Sequence, residues 1–336
     1  MIASTAERRR VTEFTPPQAE LPLRSAAYLR VLDQVRRFAR ERNAPILIEG
    51  ESGTGKTRIA RLLHTQSARA AGPYEYVILS VLDDALANSE LFGHVTGAFT
   101  DARSNRAGHF ASAHGGTLFL DEIGKASPAV QRKLLHAIEY GEIRPLGADR
   151  DMRVDVRVVA ATNVRLEERV ASGEFLPDLF ARLGTFRIRL PSLRDRRADI
   201  PVLVEYYVAQ HARSCGYDGH TPDVDPELMD ALTTAEWPYN LRQLDSTVNR
   251  LLVEAEGAAT ITLEHCRDDL EYLRMGIRRF GTPTLDDIET AIALAGNNVS
   301  RAARALGVDR TTLHRKRNLL RQSESNGEAP SRRPTQ

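Results

Sequence analysis

The stretch that most constrains this chain is Gly50-Glu51-Ser52-Gly53-Thr54-Gly55-Lys56-Thr57. It follows Ile46-Leu47-Ile48, a short apolar run that reads as a buried strand. It precedes Ile59, Leu62 and Leu63, which recur at helical spacing. Strand, glycine loop and helix in that order are the context of a phosphate-binding loop. Glycines let successive backbone N–H groups turn inward onto phosphate oxygens, and the helix start adds its positive dipole end. Lys56 is then expected to reach the β- and γ-phosphates, and the Thr57 hydroxyl to hold Mg²⁺. The competing reading is a glycine-rich turn with an exposed lysine; it leaves the agreement of the loop with both flanks unexplained.

Two further runs carry polar ends. Gly115-Gly116-Thr117-Leu118-Phe119-Leu120-Asp121-Glu122 reads as a buried strand ending in two carboxylates. At the carboxyl end of a parallel strand they face the phosphate loop. Asp121 is expected to help place Mg²⁺ and Glu122 to orient and polarise an attacking water. Taken alone, the same pair also suits a solvated acidic turn. Val158-Val159-Ala160-Ala161-Thr162-Asn163 is another buried strand. The Asn163 amide is placed to sense a γ-phosphate, though a lone asparagine is equally a turn residue.

Strand-like runs at 46–48, 76–82, 117–120, 154–161 and 186–190 alternate with helical patterns across residues 21–191. That alternation predicts an α/β fold with a parallel sheet sandwiched by helices. One helix opens clearly, with Ser127 as cap, Pro128 in the first turn, and Val130, Leu134, Leu135 and Ile138 on one face. Over 192–274 the strand signal disappears. Asp225-Pro226 opens one helix and Asn240 another, with Leu241, Leu244, Val248 and Leu251 on one side, so a small helical lid domain is expected. Residues 1–20 read as a disordered or loosely docked arm, too short for a sensing domain, so control is expected from a partner, from expression level, or from sequence outside these residues.

Gly281-Thr282-Pro283 marks a boundary, a further helical unit spans 280–322, and the polar tail 323–336 is expected to be disordered. Hydrophobic residues make up 42% and charged residues 27%, as in an ordinary soluble globular protein. No apolar run approaches the roughly 18 residues of a membrane helix. The first residues lack the apolar core of a signal peptide. Cys215 and Cys266 match no metal or redox spacing, and a cytoplasmic setting is expected.

Net charge is only +1, so any affinity for nucleic acid must be local. It is concentrated near the end: residues 297–321 hold seven Lys/Arg against one Asp, a local charge of +6. Leu285, Ile288 and Ile292 give a first helix its apolar stripe; Asn298 opens a second carrying Val299, Ala302, Ala303 and Leu306. After the turn Gly307-Val308-Asp309, a third helix has Leu313 and Leu320 inward. Small alanines allow the close crossing of a helix-turn-helix. Arg310, Thr311, Thr312, His314 and Arg315 open the third helix, where base edges are reached. Lys316 and Arg317 suit phosphates. A basic protein-docking module is the competing reading. Modules of this kind act as dimers, so a two-fold symmetric site in double-stranded DNA is expected.

Taken together, the segments resemble one family. The phosphate loop is followed by Glu90-Leu91-Phe92-Gly93-His94, Gly97-Ala98-Phe99-Thr100, the acidic strand, and the Ala-Ala-Thr-Asn strand. Leu190-Pro191-Ser192-Leu193-Arg194-Asp195-Arg196 and Trp237-Pro238-Tyr239-Asn240-Leu241-Arg242 come next. This order is similar to the AAA+ ATPase core of bacterial enhancer-binding proteins, the activators of sigma-54 RNA polymerase, and a Fis-type helix-turn-helix fits the same family. The resemblance implies ATP and Mg²⁺ at a seam between subunits of a ring, expected as a hexamer. It implies that Gly97, Ala98, Phe99 and Thr100 form the loop that pushes on the sigma factor. It places an arginine finger at Arg182, otherwise readable as half of a surface ion pair. It places at Arg242 a lid arginine that reads nucleotide state within its own subunit.

Four positions depart from the pattern. Asp101 stands where the family loop has glycine, Leu176 where a further arginine is usual, and Tyr239 where glycine precedes the lid asparagine. Ile78 stands where an asparagine restrains the catalytic glutamate, with Ser80 the nearest polar alternative if the register slips. These departures motivate a second hypothesis: a DNA-binding regulator that uses ATP binding as an assembly switch without remodelling. A third, a metabolic kinase, is disfavoured by the basic helix-turn-helix. Lys56→Ala is expected to abolish nucleotide binding; calorimetry showing normal ATP affinity in that variant removes the phosphate-loop assignment.

Overall fold

The computed structural model describes residues 23–81, 84–98, 102, 104–217 and 219–266, together with Ile292, Val299 and Leu313. In chain order the regular elements begin with α1 (Ala26–Ala39), β1 (Ile46–Glu49), α2 (Lys56–Thr65), β2 (Tyr74–Ile78), α3 (Asp84–Phe92) and α4 (His109–Ser112). Then come β3 (Thr117–Asp121), α5 (Pro128–Tyr140), β4 (Glu142–Ile143), β5 (Met152–Arg153), β6 (Arg157–Thr162), α6 (Leu166–Ala171), α7 (Pro177–Leu183) and β7 (Phe186–Arg189). A second set follows: α8 (Ile200–His211), β8 (Asp223–Val224), α9 (Pro226–Thr234), α10 (Asn240–Glu254) and β9 (Thr260–Ile261).

Five strands form one parallel sheet in the order β2-β3-β6-β1-β7. Burial on both faces explains the near-continuous apolar runs of β1, β3 and β6. Alternate residues serve opposite layers. Leu47, Leu118, Leu120, Val158 and Ala160 pack with Phe92, Phe110, Leu134 and Leu179 on one side. Ile46, Ile48, Phe119, Val159, Ala161 and Ile188 pack with Val31, Val35, Ile59 and Leu63 on the other. The third cluster gathers Leu203, Val208, Leu228, Trp237, Leu244 and Leu251 from α8, α9, the α9–α10 connection and α10. As the sequence indicates, Ser127 caps α5 by accepting from the Val130 N–H, and Asp225 caps α9 by accepting from the Glu227 N–H.

The limits of two strands differ from those expected. β2 starts at Tyr74 and stops at Ile78, opposite Asp121, where its only neighbour β3 ends; Leu79–Val81 turn into a 3₁₀ helix. β6 begins at Arg157, not 154, because its partner β3 begins at Thr117. The helical unit holds a two-residue parallel pair, β8 with β9, too short to leave a periodic signal. Asn240 does not cap α10. Tyr239 holds the cap position, and Asn240 adopts a left-handed backbone, φ +53°, that aims its amide elsewhere.

Arg157, at the root of β6, is fully buried and forms no ion pair with a described residue. Its guanidinium donates to Phe38 O at 2.6 Å and Leu63 O at 3.3 Å, near the carboxyl ends of α1 and α2. Those carbonyls sit in the last turns of the two helices and carry the negative ends of their dipoles; Phe38 O also accepts from the Glu41 N–H at 3.1 Å. Burial, reinforced by nearby Arg69, pulls the guanidinium down to about 10. Arg157→Leu should remove the guanidinium that bridges the two helix ends and destabilise the α/β unit by about 3 kcal/mol; a urea midpoint equal to wild type contradicts this anchoring role.

Candidate nucleotide-binding site

The glycine loop leaves the carboxyl edge of the sheet, where Gly50 N–H donates to Thr162 O at 3.2 Å. Gly53 has φ +76°, and a Cβ there would lie 2.2 Å from Tyr239 O. Both facts require glycine. Gly55, φ +102°, starts α2. The Thr54 hydroxyl donates to Glu51 O at 2.8 Å, holding the loop closed on itself. Lys56 Nζ donates to Gly50 O at 2.8 Å and Glu51 O at 2.9 Å, so the ammonium is held inside the loop. Burial lowers its pKa, opposed by the carboxylates of Asp121 and Glu122.

Asp121 ends β3 two strands from β1. Its Oδ1 accepts from Glu122 N–H at 3.0 Å and its Oδ2 from the Tyr76 hydroxyl at 3.2 Å. Burial raises its pKa, with Lys56 as the main opposing charge. Tyr76, beside that carboxylate and partly desolvated, is pushed up to about 12. Glu122 sits in the left-handed region, φ 57°, which turns the chain sharply out of the strand. No described residue donates a hydrogen bond to its carboxylate, and Ile78, beside Asp121 in register, has no polar group to offer. Ser80 is exposed in the 3₁₀ turn, so no slip of register brings it to Ile78's place.

Thr57 is exposed at the start of α2, and Asn163 is exposed one residue beyond β6, whose Thr162 pairs with Glu49. The phosphate loop, the acid pair and Asn163 therefore share one edge. Arg182 lies elsewhere. α7 is docked through buried Leu179 and Leu183 and by Arg187 stacked 4.8 Å from the Phe180 ring, and Arg182 projects outward, exposed. Its guanidinium has no hydrogen bond or ion pair with a described residue. Leu176 precedes α7 with its N–H bonded to Gln131 Oε1 at 2.8 Å.

The helical unit grips the loop directly. Leu241 N–H donates to Gly53 O at 3.0 Å, Asn240 Nδ2 to Ser52 O at 3.0 Å, and Arg242 Nη1 to Ser52 Oγ at 3.2 Å. Arg196, stacked 4.5 Å over Tyr28, donates to Thr54 O at 3.1 Å. Glu51 receives two bonds from Arg194, at 2.5 and 2.9 Å, and one from Asn240 at 3.1 Å. The Arg194 contact foremost, against the cost of burial, lowers the Glu51 pKa. Sequence reading placed Glu51 in the loop and Arg242 in the lid but missed Arg194, Arg196 and the Asn240 amide as loop partners. The only signal was their place in two arginine-bearing segments after Pro191 and Pro238.

Gly97 and Ala98 lie at the neck of the expected contact loop, which is closed by Gly97 N–H to Ala102 O at 2.8 Å and His94 N–H to Arg106 O at 2.9 Å. Phe99, Thr100 and Asp101 lie outside the described residues, as do Arg310, Thr311, Thr312, His314, Arg315, Lys316 and Arg317, the 1–20 arm, the 281–283 boundary and the 323–336 tail. Ile292 and Leu313, both assigned to apolar helix faces, are buried. Among the described residues Cys215 is a free thiol, no three His, Cys, Asp or Glu cluster as a metal site, and no helix is long and apolar enough to cross a membrane.

A parallel β2-β3-β6-β1-β7 sheet with a phosphate loop after β1, an acid pair at the end of β3 and a helical lid on the loop define a nucleotide-binding protein of AAA+ architecture. Comparison with known proteins narrows the class. Residues 21–189 match the sigma-54 interaction domain, 194–275 the AAA+ ATPase lid domain and 287–318 the bacterial regulatory protein Fis family. The chain belongs to the sigma-54 interaction domain family.

It is 40% identical to the anaerobic nitric oxide reductase transcription regulator NorR of Citrobacter koseri, over 80% of this chain and 57% of that protein. It is 41% identical to the Nif-specific regulatory protein of Azotobacter vinelandii, over 83% and 54%. The chain thus spans little more than half the length of these relatives. The crystal structure of NtrX from Brucella abortus in complex with ADP is 31% identical with a TM-score of 0.68, covering 90% of this chain and 70% of that one.

Glu51→Gln should weaken the charge-assisted grip of Arg194 and lower ADP affinity about tenfold, a loss of about 1.4 kcal/mol. Amide exchange across 240–254 should quicken in parallel; unchanged affinity and exchange would mean the lid is held without this carboxylate.

Proposed function

We propose that this chain is a sigma-54-dependent transcriptional activator that binds enhancer DNA and uses ATP hydrolysis in an oligomeric ring to remodel sigma-54 RNA polymerase. The observation that carries the reading is the meeting of Lys56, Asp121 and Glu122 at one sheet edge under a lid, in a chain of this family. Lys56 and the loop N–H groups offset phosphate charge, an interaction strengthened by partial burial. The Thr57 hydroxyl and the Asp121 carboxylate are hard oxygen donors on adjoining elements, a set that suits Mg²⁺. The cation supplies charge neutralisation at the phosphates. Glu122, with no hydrogen bond to its carboxylate from a described residue, can accept a proton from an attacking water. Asn163 lies within the same edge to sense the terminal phosphate, and Arg242 reports nucleotide to the lid.

Arg182 points out of its own chain, and its role is toward a neighbouring subunit's nucleotide, making turnover depend on assembly. Phe99 and Thr100 act on the sigma factor from the neck closed at Gly97. Residues 310–317 hold the assembly on a two-fold symmetric DNA site in the cytoplasm. Ile78 favours a second reading, ATP binding as an assembly switch without remodelling, because a glutamate with no restraining amide lacks one means of coupling.

One experiment separates them: open-complex formation by sigma-54 polymerase with ATP and a footprinted upstream site, alongside ATP turnover. Wild type should open promoters, and Glu122→Ala should not. Arg182→Ala should keep nucleotide binding and lose turnover about a thousandfold. Promoter opening that persists in Glu122→Ala, or full turnover in Arg182→Ala, overturns the corresponding assignment; turnover indifferent to Glu122 supports the switch.

A further inference from the structure

The reading of the nucleotide site leaves Tyr76 without a role. It lies in the edge strand β2, on the same face as Ile78, and pairs in register with Phe119 of β3. The two rings stack with centroids 5.2 Å apart and planes 13° from parallel. That stacking fixes the ring and aims its hydroxyl along the sheet to the carboxyl edge. The phenol oxygen lies 3.2 Å from Asp121 Oδ2 and donates to it. The residue is 37% exposed, so its rim opens on the cleft.

We propose that Tyr76 is a positioning residue for the divalent cation, holding the Asp121 carboxylate as a preset oxygen donor. A phenol has one hydrogen to donate and lone pairs to accept. It gives that hydrogen to the carboxylate. Asp121 Oδ1 is already occupied by the Glu122 N–H, so the Tyr76 bond at Oδ2 completes the clamp on the carboxylate plane. Mg²⁺ tolerates little departure from octahedral geometry, so loose donors cost affinity. Partners behind metal-holding groups contribute about 10- to 100-fold to metal affinity. No other described side chain donates a hydrogen bond to the Asp121 carboxylate. Ile78, the next residue on this face, is aliphatic. In this chain the restraint at the end of β2 thus falls on the aspartate, through a phenol, and not on the glutamate.

The inference rests on the nucleotide-site reading and is tested apart from it. Tyr76→Phe keeps the ring and its stack on Phe119 and deletes only the hydroxyl. ADP is titrated into the full chain by calorimetry, in EDTA and across a series of Mg²⁺ concentrations. The variant should match wild type in EDTA, while the Mg²⁺ concentration giving half of the metal-dependent gain in affinity rises about tenfold. In an Asp121→Asn background the same change should have no further effect. A Mg²⁺ curve that overlays wild type, or shifts to lower Mg²⁺, overturns the assignment of Tyr76 alone. Wild-type protein that fails to bind ADP at any Mg²⁺ concentration overturns the nucleotide site itself, and the Tyr76 assignment with it.

Discussion

Every feature of the site depends on the parallel register of β1, β6 and β3. Glu49 lies opposite Thr162, and Leu120 opposite Ala160, so all three strands finish together. Backbone hydrogen bonds impose that alignment, and alternate apolar side chains on both faces lock it, because a one-residue slip would exchange the two faces. A shared finishing line puts the glycine loop, the acid pair and Asn163 at one edge. The opposing shifts of Lys56 and Asp121 follow from the same geometry: each is desolvated by the sheet and its cover, and each is the other's principal opposing charge.

Backbone carbonyls recur as partners for cations in this fold. Arg157 serves the ends of α1 and α2 without an ion pair to a described residue, and Arg69 combines carbonyls of Arg42 and Asp155 with an ion pair to the Asp155 side chain. Lys56 and Arg196 do the same within the phosphate loop. Carbonyl dipoles satisfy a buried cation without a second buried charge, which would carry its own desolvation cost. They also leave the loop's cation available to an anion.

The lid is attached at the loop by a different device. Glu51 collects Arg194 and Asn240, while Asn240 also donates to Ser52 O and accepts from Leu193 N–H at 2.7 Å. One buried asparagine in a left-handed backbone thus binds the loop, the segment entering the lid and the start of α10. A change in the loop therefore moves the lid directly. The chain at residues 93–95 is tied by backbone pairs to Leu146, in the β4–β5 connection, and not to the lid.

The amino-acid sequence by itself determined the phosphate loop, the helical faces of α5 and α10, the start of α9, and the acid pair at the end of β3. Each is written in residues adjacent in the chain or one helical turn apart, where backbone conformation and side-chain period act locally. It could not set where β2 and β6 begin and end, because a strand lasts only as long as the partner it pairs with. It also could not pair Tyr76 with Asp121, 45 residues away, or Asn240 with Glu51, 189 residues away. Those partners meet only once the sheet register and the packing of the lid are settled, since a hydrogen bond between distant side chains has no signature before folding brings the two groups within reach.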